Sequence, residues 1–487
     1  MSSLFSRGFK SRPKNSKLFS GKSLPLNTAD YDEPTIEELK ESVKVTVEDI
    51  VLDSQQRECV YSDEHNILVV AGAGSGKTRV LTERIRHLID DLEVPPSNIV
   101  SITFTNMAAE EMRIRLSDID NIGDAFIGTI HSFANHVMKE SGETYTLLSD
   151  ELNIALHREL IAKYCIHLTE DRYMEYLDVI NLIAQGKAPE SAATDLLTPS
   201  EQNELEKLEM TAEFVENDLK QKNRVSFGES IYTLCKKRHI ITFNELLRRA
   251  KAYFTRIGAT IEYVFVDEFQ DVGNLEYNFI RSLNAENYFF VGDDYQAIYG
   301  FKGGNVHIFK SLVKDDTFTK YMLTNNYRNG TAILDVAEIV ISQVDDRIKK
   351  EITPMQDFEG TVRITPKANI YRVLQDLVYD VEDYSQYFIL VRTNKELYEM
   401  TETCSSLGLP YITFKREGMS LAELKRKMKK NAIKILTVHT AKGLEVDNVI
   451  LYGNFPITVP YYRMNKEERR VMYTGITRAR KNLMIMN

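Results

Sequence analysis

The chain has 487 residues, 43% hydrophobic and 27% charged, a globular composition that excludes a disordered or fibrous protein and suffices for two to four compact units. No apolar run approaches the ~18 residues of a membrane-spanning helix. The four separated cysteines (Cys59, Cys165, Cys235, Cys404) lack the spacing of a zinc or iron–sulfur site, which points to a reduced, cytoplasmic setting without a membrane partner.

The formal charge is −10, yet the first 29 residues hold six cations (Arg7, Lys10, Arg12, Lys14, Lys17, Lys22) and no acid, leaving −16 on the remainder. Such an acidic body confines any phosphate contact to local patches. Residues 1–44 read as a basic, flexible arm. One reading is a solvated tail. A second has Phe5, Phe9 and Phe19, interleaved with cations, docking on a protein partner or on nucleic acid. The acid-free, Ser- and Arg-containing composition also resembles an organelle transit peptide.

The run from Asn66 to Thr78, NILVVAGAGSGKT, is an apolar strand entering a Gly-rich turn, and an amphipathic stretch, Thr78–Asp90, follows it. Ala71, Gly72, Ala73, Gly74, Ser75 and Gly76 form a loop whose backbone N–H groups can approach phosphate oxygens, aided by the positive end of the next helix. Lys77 would reach the β- and γ-phosphates of ATP and the Thr78 hydroxyl would ligate Mg²⁺. Ala71 stands where the strict pattern has Gly.

About a hundred residues of helix-favouring sequence follow Phe133, for example Glu151–Ile166 and Glu204–Gln221, and carry no chemical motif. The segment from Glu262 to Asp271, EYVFVDEFQD, then supplies a buried parallel strand ending in two carboxylates. Asp267 would hold Mg²⁺ through its water shell, and Glu268 would serve as general base or position the attacking water.

With these two segments placed, the chain resembles superfamily 1 helicases of the UvrD/Rep/PcrA type, and the likeness continues in order. LDSQQRECV (52–60), ITFTNMAAEEM (102–112), GTIHSF (128–133), VGDDYQAIYGFKG (291–303), LTNNYR (323–328), LTVHTAKGLE (436–445) and EERRVMYTGITRA (467–479) each resemble a family motif. The resemblance implies an α/β fold with two RecA-like P-loop motor domains, parallel sheets, and a helical insertion in the first. The first motor domain would comprise 45–137 and 241–317, the insertion 138–240, and the second motor domain 318–487. Within the last, a short basic segment, 415–431, replaces the family's large mobile domain. Ser420 and Glu423 there have capping-box spacing, so a helix is predicted to start at that point. Its seven cations admit two readings, a solvated helix or a contact to the DNA backbone.

Carried over by position, the resemblance implies that Gln56 hydrogen-bonds adenine, that Arg79 and Tyr327 sandwich it, and that Glu445 contacts ribose. Gln296 would sense the γ-phosphate, and Arg328 and Arg478 would act as arginine fingers. Phe104, Tyr299 and Phe301 would stack bases, with Thr105, Thr129, His131, Lys302 and His439 near the strand. Phe301–Lys302 stands where Trp–Arg is usual, Tyr295 and Thr242 each stand where Asp is common, and the chain has no tryptophan.

The function implied is an ATP-dependent, 3′-to-5′ single-stranded DNA translocase and helicase using ATP and Mg²⁺ at single-strand/duplex junctions, in a bacterial or phage-infected cell. A second reading is a DNA-stimulated ATPase switch in a larger phage-defence or recombination complex whose nuclease comes from a partner.

Overall fold

Continuous apolar runs of four to seven residues form strands covered on both faces, and in this chain they pair in parallel. The computed structural model describes residues 51–149, 152–153, 155–156, 234–416, 418–453 and 465–487. The basic arm and most of the expected insertion, including most of Glu151–Ile166 and all of Glu204–Gln221, lie outside the described residues.

The first sheet comprises β1 (Asn66–Ala71), β2 (Ile99–Thr103), β3 (Phe126–Thr129), β4 (Tyr263–Val266), β5 (Asn287–Gly292) and β6 (Thr319–Leu323) in the spatial order β3-β2-β4-β5-β1-β6, all parallel. Ile67, Leu68, Val69 and Val70 of β1 are buried, as are Phe265 of β4 and Phe290 and Val291 of β5. The sheet therefore brings the C-terminal ends of β1, β5 and β4 side by side. Membership of β6 corrects the expected boundary near Phe318. This strand pairs with β1, Ile67 opposite Thr319 through Ala71 opposite Leu323, so the first sheet continues to Leu323. Its partly exposed pattern, with only Leu323 buried, suits an edge strand and gave no sign of which sheet it joins.

The second sheet contains β7 (Thr361–Thr365), β8 (Tyr387–Val391), β9 (Tyr411–Ile412), β10 (Ile433–Thr437), β11 (Val446–Tyr452) and β12 (Ala479–Met486), ordered β7-β12-β11-β8-β10-β9 and again parallel. The described residues are thus α/β with two six-stranded parallel sheets. One apolar cluster runs from Ala73, Met107, Tyr295 and Ile298 on the first-sheet side into Ile333, Leu436, Val438 and Met472 on the second. At about 25 cal/mol per Å² of apolar surface removed from water, such a shared core holds the two lobes together.

The helices follow their sequence signals. In α1 (Ser54–Val60), Asp53 and Gln56 form a reciprocal capping box. In α2 (Lys77–Asp90), Val80, Leu81, Ile85 and Leu88 make the buried stripe. Thr105 caps α3 (Asn106–Arg115) by accepting from Ala108 N.

A second compact unit spans Ala134–Tyr253, wider than the expected 138–240. At its start the unit divides α4 (Ile130–Glu140), which runs through the expected boundary without a break, and at its end it extends past 240 into α5 (Phe243–Ile257). Among its described residues, Thr146–Leu147 pairs in parallel with Ile240–Ile241. No helix among the described residues is long and apolar enough to cross a membrane.

Candidate functional site

The turn after β1 is set by backbone conformation. Gly74 and Gly76 have φ of 65° and 83°, in the left-handed region that glycine enters without steric cost. A Cβ on Gly74 would lie 2.8 Å from Arg328 Cβ, and one on Gly76 2.9 Å from Gln56 Nε2, so space also requires glycine at both. Ser75 Oγ donates to Gly72 O at 2.9 Å and Gly72 N to Leu323 O at 2.8 Å, closing the loop over β6. Gly76 caps α2, which puts Lys77 and Thr78 at that helix's positive end.

Across the sheet, Asp267 and Glu268 leave β4. Thr78 Oγ1 donates to Asp267 Oδ2 at 3.3 Å, and Glu268 N to Asp267 Oδ1 at 2.8 Å. Glu268 has φ of 51°, a left-handed conformation rare outside glycine and found at sites where strain serves geometry. Burial, and then the adjacent Glu268 charge, push the Asp267 carboxyl up. Burial pushes Glu268 the same way but is outweighed by Lys442 and Lys77, which hold it low. Asp267 is 5% exposed, a hard oxygen donor beside a hydroxyl, and its charge is held in check only weakly by the protein. Thr78 and Asp267 therefore fit Mg²⁺, which keeps several waters and takes one or two protein oxygens. When bound, the ion would neutralise charge between phosphate oxygens.

The opposite wall comes from the second-sheet side. Arg478 is 1% exposed, and its Nη2 donates to Gln296 Oε1 at 3.1 Å while Nε and Nη1 hold Thr474 O and Leu444 O at 2.9 and 3.2 Å. Burial, reinforced by Arg328, lowers it to about 9, so it stays charged at neutral pH. Arg328 Nε donates to Glu445, and its Nη1 lies 3.5 Å from Thr477 O. Gln296 Nε2 donates to Asp293 Oδ2 at 2.6 Å. The predicted ribose contact Glu445 is thus paired with Arg328, and Arg480 lies 3.9 Å away.

Around the predicted adenine site, Gln56 Nε2 donates to Ser75 O at 3.1 Å, tying α1 to the loop. Tyr327 OH donates to Asp53, Tyr327 N to Gly74 O at 2.9 Å, and Arg79 Nη2 to Val51 O at 3.3 Å. Tyr327 is 39% exposed, leaving ring surface to stack on a base.

Two lysines escaped the sequence reading. Lys442 reaches from the second-sheet side to Asp271, to Gln296 O at 2.9 Å and to Glu268 Oε2 at 3.5 Å. Although burial opposes its charge, Asp271 and then Glu268 hold its ammonium protonated well above the usual range. Lys350, with no exposed side-chain surface, sits between Asp293 and Asp294. The available signal was a lysine inside an otherwise matched motif for Lys442; Lys350 lies outside any motif.

Four of the residues expected near nucleic acid, Phe104, Tyr299, Phe301 and His439, form one strip. Phe104 and Tyr299 stack at 4.7 Å and 22°, Tyr299 lies 6.1 Å from Phe301, and Phe301 meets His439 edge-on at 5.2 Å. Phe104 and Phe301 are 37% and 50% exposed. Thr105 caps α3, and Thr129 accepts from Ser132 N at 3.2 Å. Burial lowers His131 and His439 to about 4, so both are neutral at pH 7. The Lys302 side chain lies outside the described residues. A cavity of about 290 Å³ lined by Phe104, Thr129, His131 and Tyr299 opens onto Asp267 and Glu268, joining the strip to the carboxylates.

Comparison with known proteins gives a consistent picture. Residues 52–317 match the family model described as the UvrD/REP helicase N-terminal domain, and residues 415–487 the UvrD-like helicase C-terminal domain. A Mycoplasma pneumoniae protein named "Probable DNA helicase" is 29% identical over 90% of this chain and 83% of its own length. ATP-dependent DNA helicase PcrA of Leuconostoc citreum is 28% identical over 74% of the chain and 49% of its own length. The corresponding figures for ATP-dependent DNA helicase Rep of Buchnera aphidicola are 27%, 74% and 55%. The chain spans about half the length of the PcrA and Rep relatives it matches.

Proposed function

This chain belongs to the UvrD/REP helicase family, and on that premise we propose that it is an ATP-dependent DNA helicase that translocates 3′ to 5′ along a single strand. The observation carrying this reading is the seam itself. Lys77, Thr78, Asp267 and Glu268 line one wall, Arg328 and Arg478 the other, and Gln296 bridges them through Asp293 and Arg478.

In this reading the loop amides and Lys77 hold the phosphates of ATP. Glu268, kept ionised by Lys442 and Lys77, accepts a proton from the attacking water. Arg478 and Arg328 stabilise charge developing on the transferred phosphoryl group, a contribution worth about 10³–10⁵ in rate where it has been measured in other phosphoryl-transfer enzymes. Because Gln296, Tyr299 and Phe301 lie within one short segment after β5, a shift of Gln296 toward or away from Arg478 moves the aromatic strip as well. Hydrolysis is thereby coupled to the grip on bases.

Unwinding of 3′-tailed and 5′-tailed duplexes by the full chain tests the proposal. ATP-dependent separation of the 3′-tailed substrate alone is expected. DNA-stimulated hydrolysis without strand separation would instead favour a switch subunit acting within a larger assembly, and preference for the 5′ tail would overturn the polarity.

A further inference from the structure

A lysine ammonium with no exposed surface is costly to bury unless it is fully paired, so its partners indicate what it holds in place. Lys350 lies on the segment that leaves the helix Thr331–Ile341 and passes beneath the phosphate loop. Its Nζ lies 3.0 Å from Ala71 O at the end of β1, 2.5 Å from Asp293 Oδ1 and 2.9 Å from Asp294 Oδ1. The same segment approaches the loop again through Ile352, whose Cδ1 would be 2.5 Å from a Cβ on Gly72, and Ile348 N donates to Asp294 Oδ2 at 2.9 Å.

Asp293 connects this lysine to the seam. Its Oδ1 takes Lys350 and the amide of Tyr295 (3.1 Å), while its Oδ2 takes Gln296 Nε2 at 2.6 Å. A glutamine amide with a carboxylate on one side and a guanidinium on the other has one orientation that satisfies both, nitrogen to Asp293 and oxygen to Arg478. Lys350 also stands 3.8 Å from the centroid of the Tyr295 ring, which meets Tyr473 edge-on at 5.3 Å. The ring therefore covers the cation and contacts the second-sheet side, where a third aspartate would only add uncompensated charge.

We propose that Lys350 is a positioning residue of the nucleotide site, joining the Ala71 carbonyl beside the phosphate loop to Asp293 so that Asp293 holds the Gln296 amide toward Arg478. Lys350 touches no reacting atom and acts through Gln296. The assignment rests on the reading of Gln296 as the group that senses the terminal phosphate.

A double-mutant cycle of Lys350→Met and Gln296→Ala tests it, with Asp294→Asn added throughout to balance the buried charge. The cycle is measured on single-stranded-DNA-stimulated ATP turnover and on affinity for a fluorescent non-hydrolysable ATP analogue. Lys350→Met should lower kcat about tenfold or more with KM changed less than about threefold, and Gln296→Ala should then add less than about twofold to either readout. Equal, multiplying losses from the two substitutions, or unchanged kcat in the lysine variant, would overturn the proposal. A fold defect alone would lower all activities together and leave the Gln296 dependence intact. If the parent chain binds the analogue without turnover, the helicase reading fails, and the affinity cycle still decides the role of Lys350 by the same criterion.

Discussion

Gln296 and the histidines near the aromatic strip show how single side chains set the chemistry. Each end of the Gln296 amide is claimed by a charged neighbour from a different lobe, so its position reports whether the walls are together. His131 and His439 sit where a strand would run, yet burial holds both near 4. Both are therefore neutral groups at physiological pH. The slope of log affinity for single-stranded DNA against log salt should thus be the same at pH 8 and pH 6, and a slope steeper by about 0.7 per histidine at pH 6 would contradict this. Stability carries the complementary sign. With folded values below the ordinary 6.5, the unfolded chain binds more protons between about 6.5 and 4, so the two histidines' contribution is complete above that window and is lost as pH falls through it. Thermal unfolding followed from pH 7 to 4.5 checks the direction.

At the scale of elements, the helix predicted from Ser420 is present as Leu421–Lys429, with Ser420 Oγ accepting from Glu423 N at 3.2 Å. Not all of its cations face outward. Lys427 lies 3.6 Å from Glu423, and Lys425 is drawn toward Glu111 and Glu110. Glu110 of α3 accepts from Leu421 N at 3.0 Å, so the helix is capped from the other lobe. Charge counting could not separate these roles, because it ignores which face packs. Lys415, Lys429 and Lys430 remain exposed. Replacing those three with glutamine should flatten the salt slope for a single-strand/duplex junction by two to three times about 0.9 if the helix touches duplex phosphates. An unchanged slope leaves this helix as an interlobe clasp only. Strands were more legible than helix partners: β1 and β4 are largely apolar runs, whereas β6 mixes polar and apolar residues, is mostly part-exposed, and took its place from its neighbour β1.

For the whole molecule, the two-sheet plan and the meeting of the Gly-rich turn with Asp267 and Glu268 were legible because glycine turns and strand-end carboxylates are local chemistry written in consecutive residues. Lys350 and Lys442 were not, since each acts on groups more than fifty residues away in sequence and gains meaning only from burial. The same applies to the Arg328–Glu445 pair, which competes with the sugar contact implied for Glu445. What unites these features in the proposed reading is a seam between lobes that share one apolar core. The most direct measurement is ATP turnover of the full chain with and without single-stranded DNA, alongside Lys77→Ala and Arg478→Ala, with nucleotide affinity measured in parallel. Stimulation by DNA is expected in the parent chain. Each variant should lose about 10²-fold or more in turnover, with the fold retained in both and Arg478→Ala still binding nucleotide. Normal DNA-stimulated turnover without the Arg478 guanidinium would contradict a catalytic seam between the lobes.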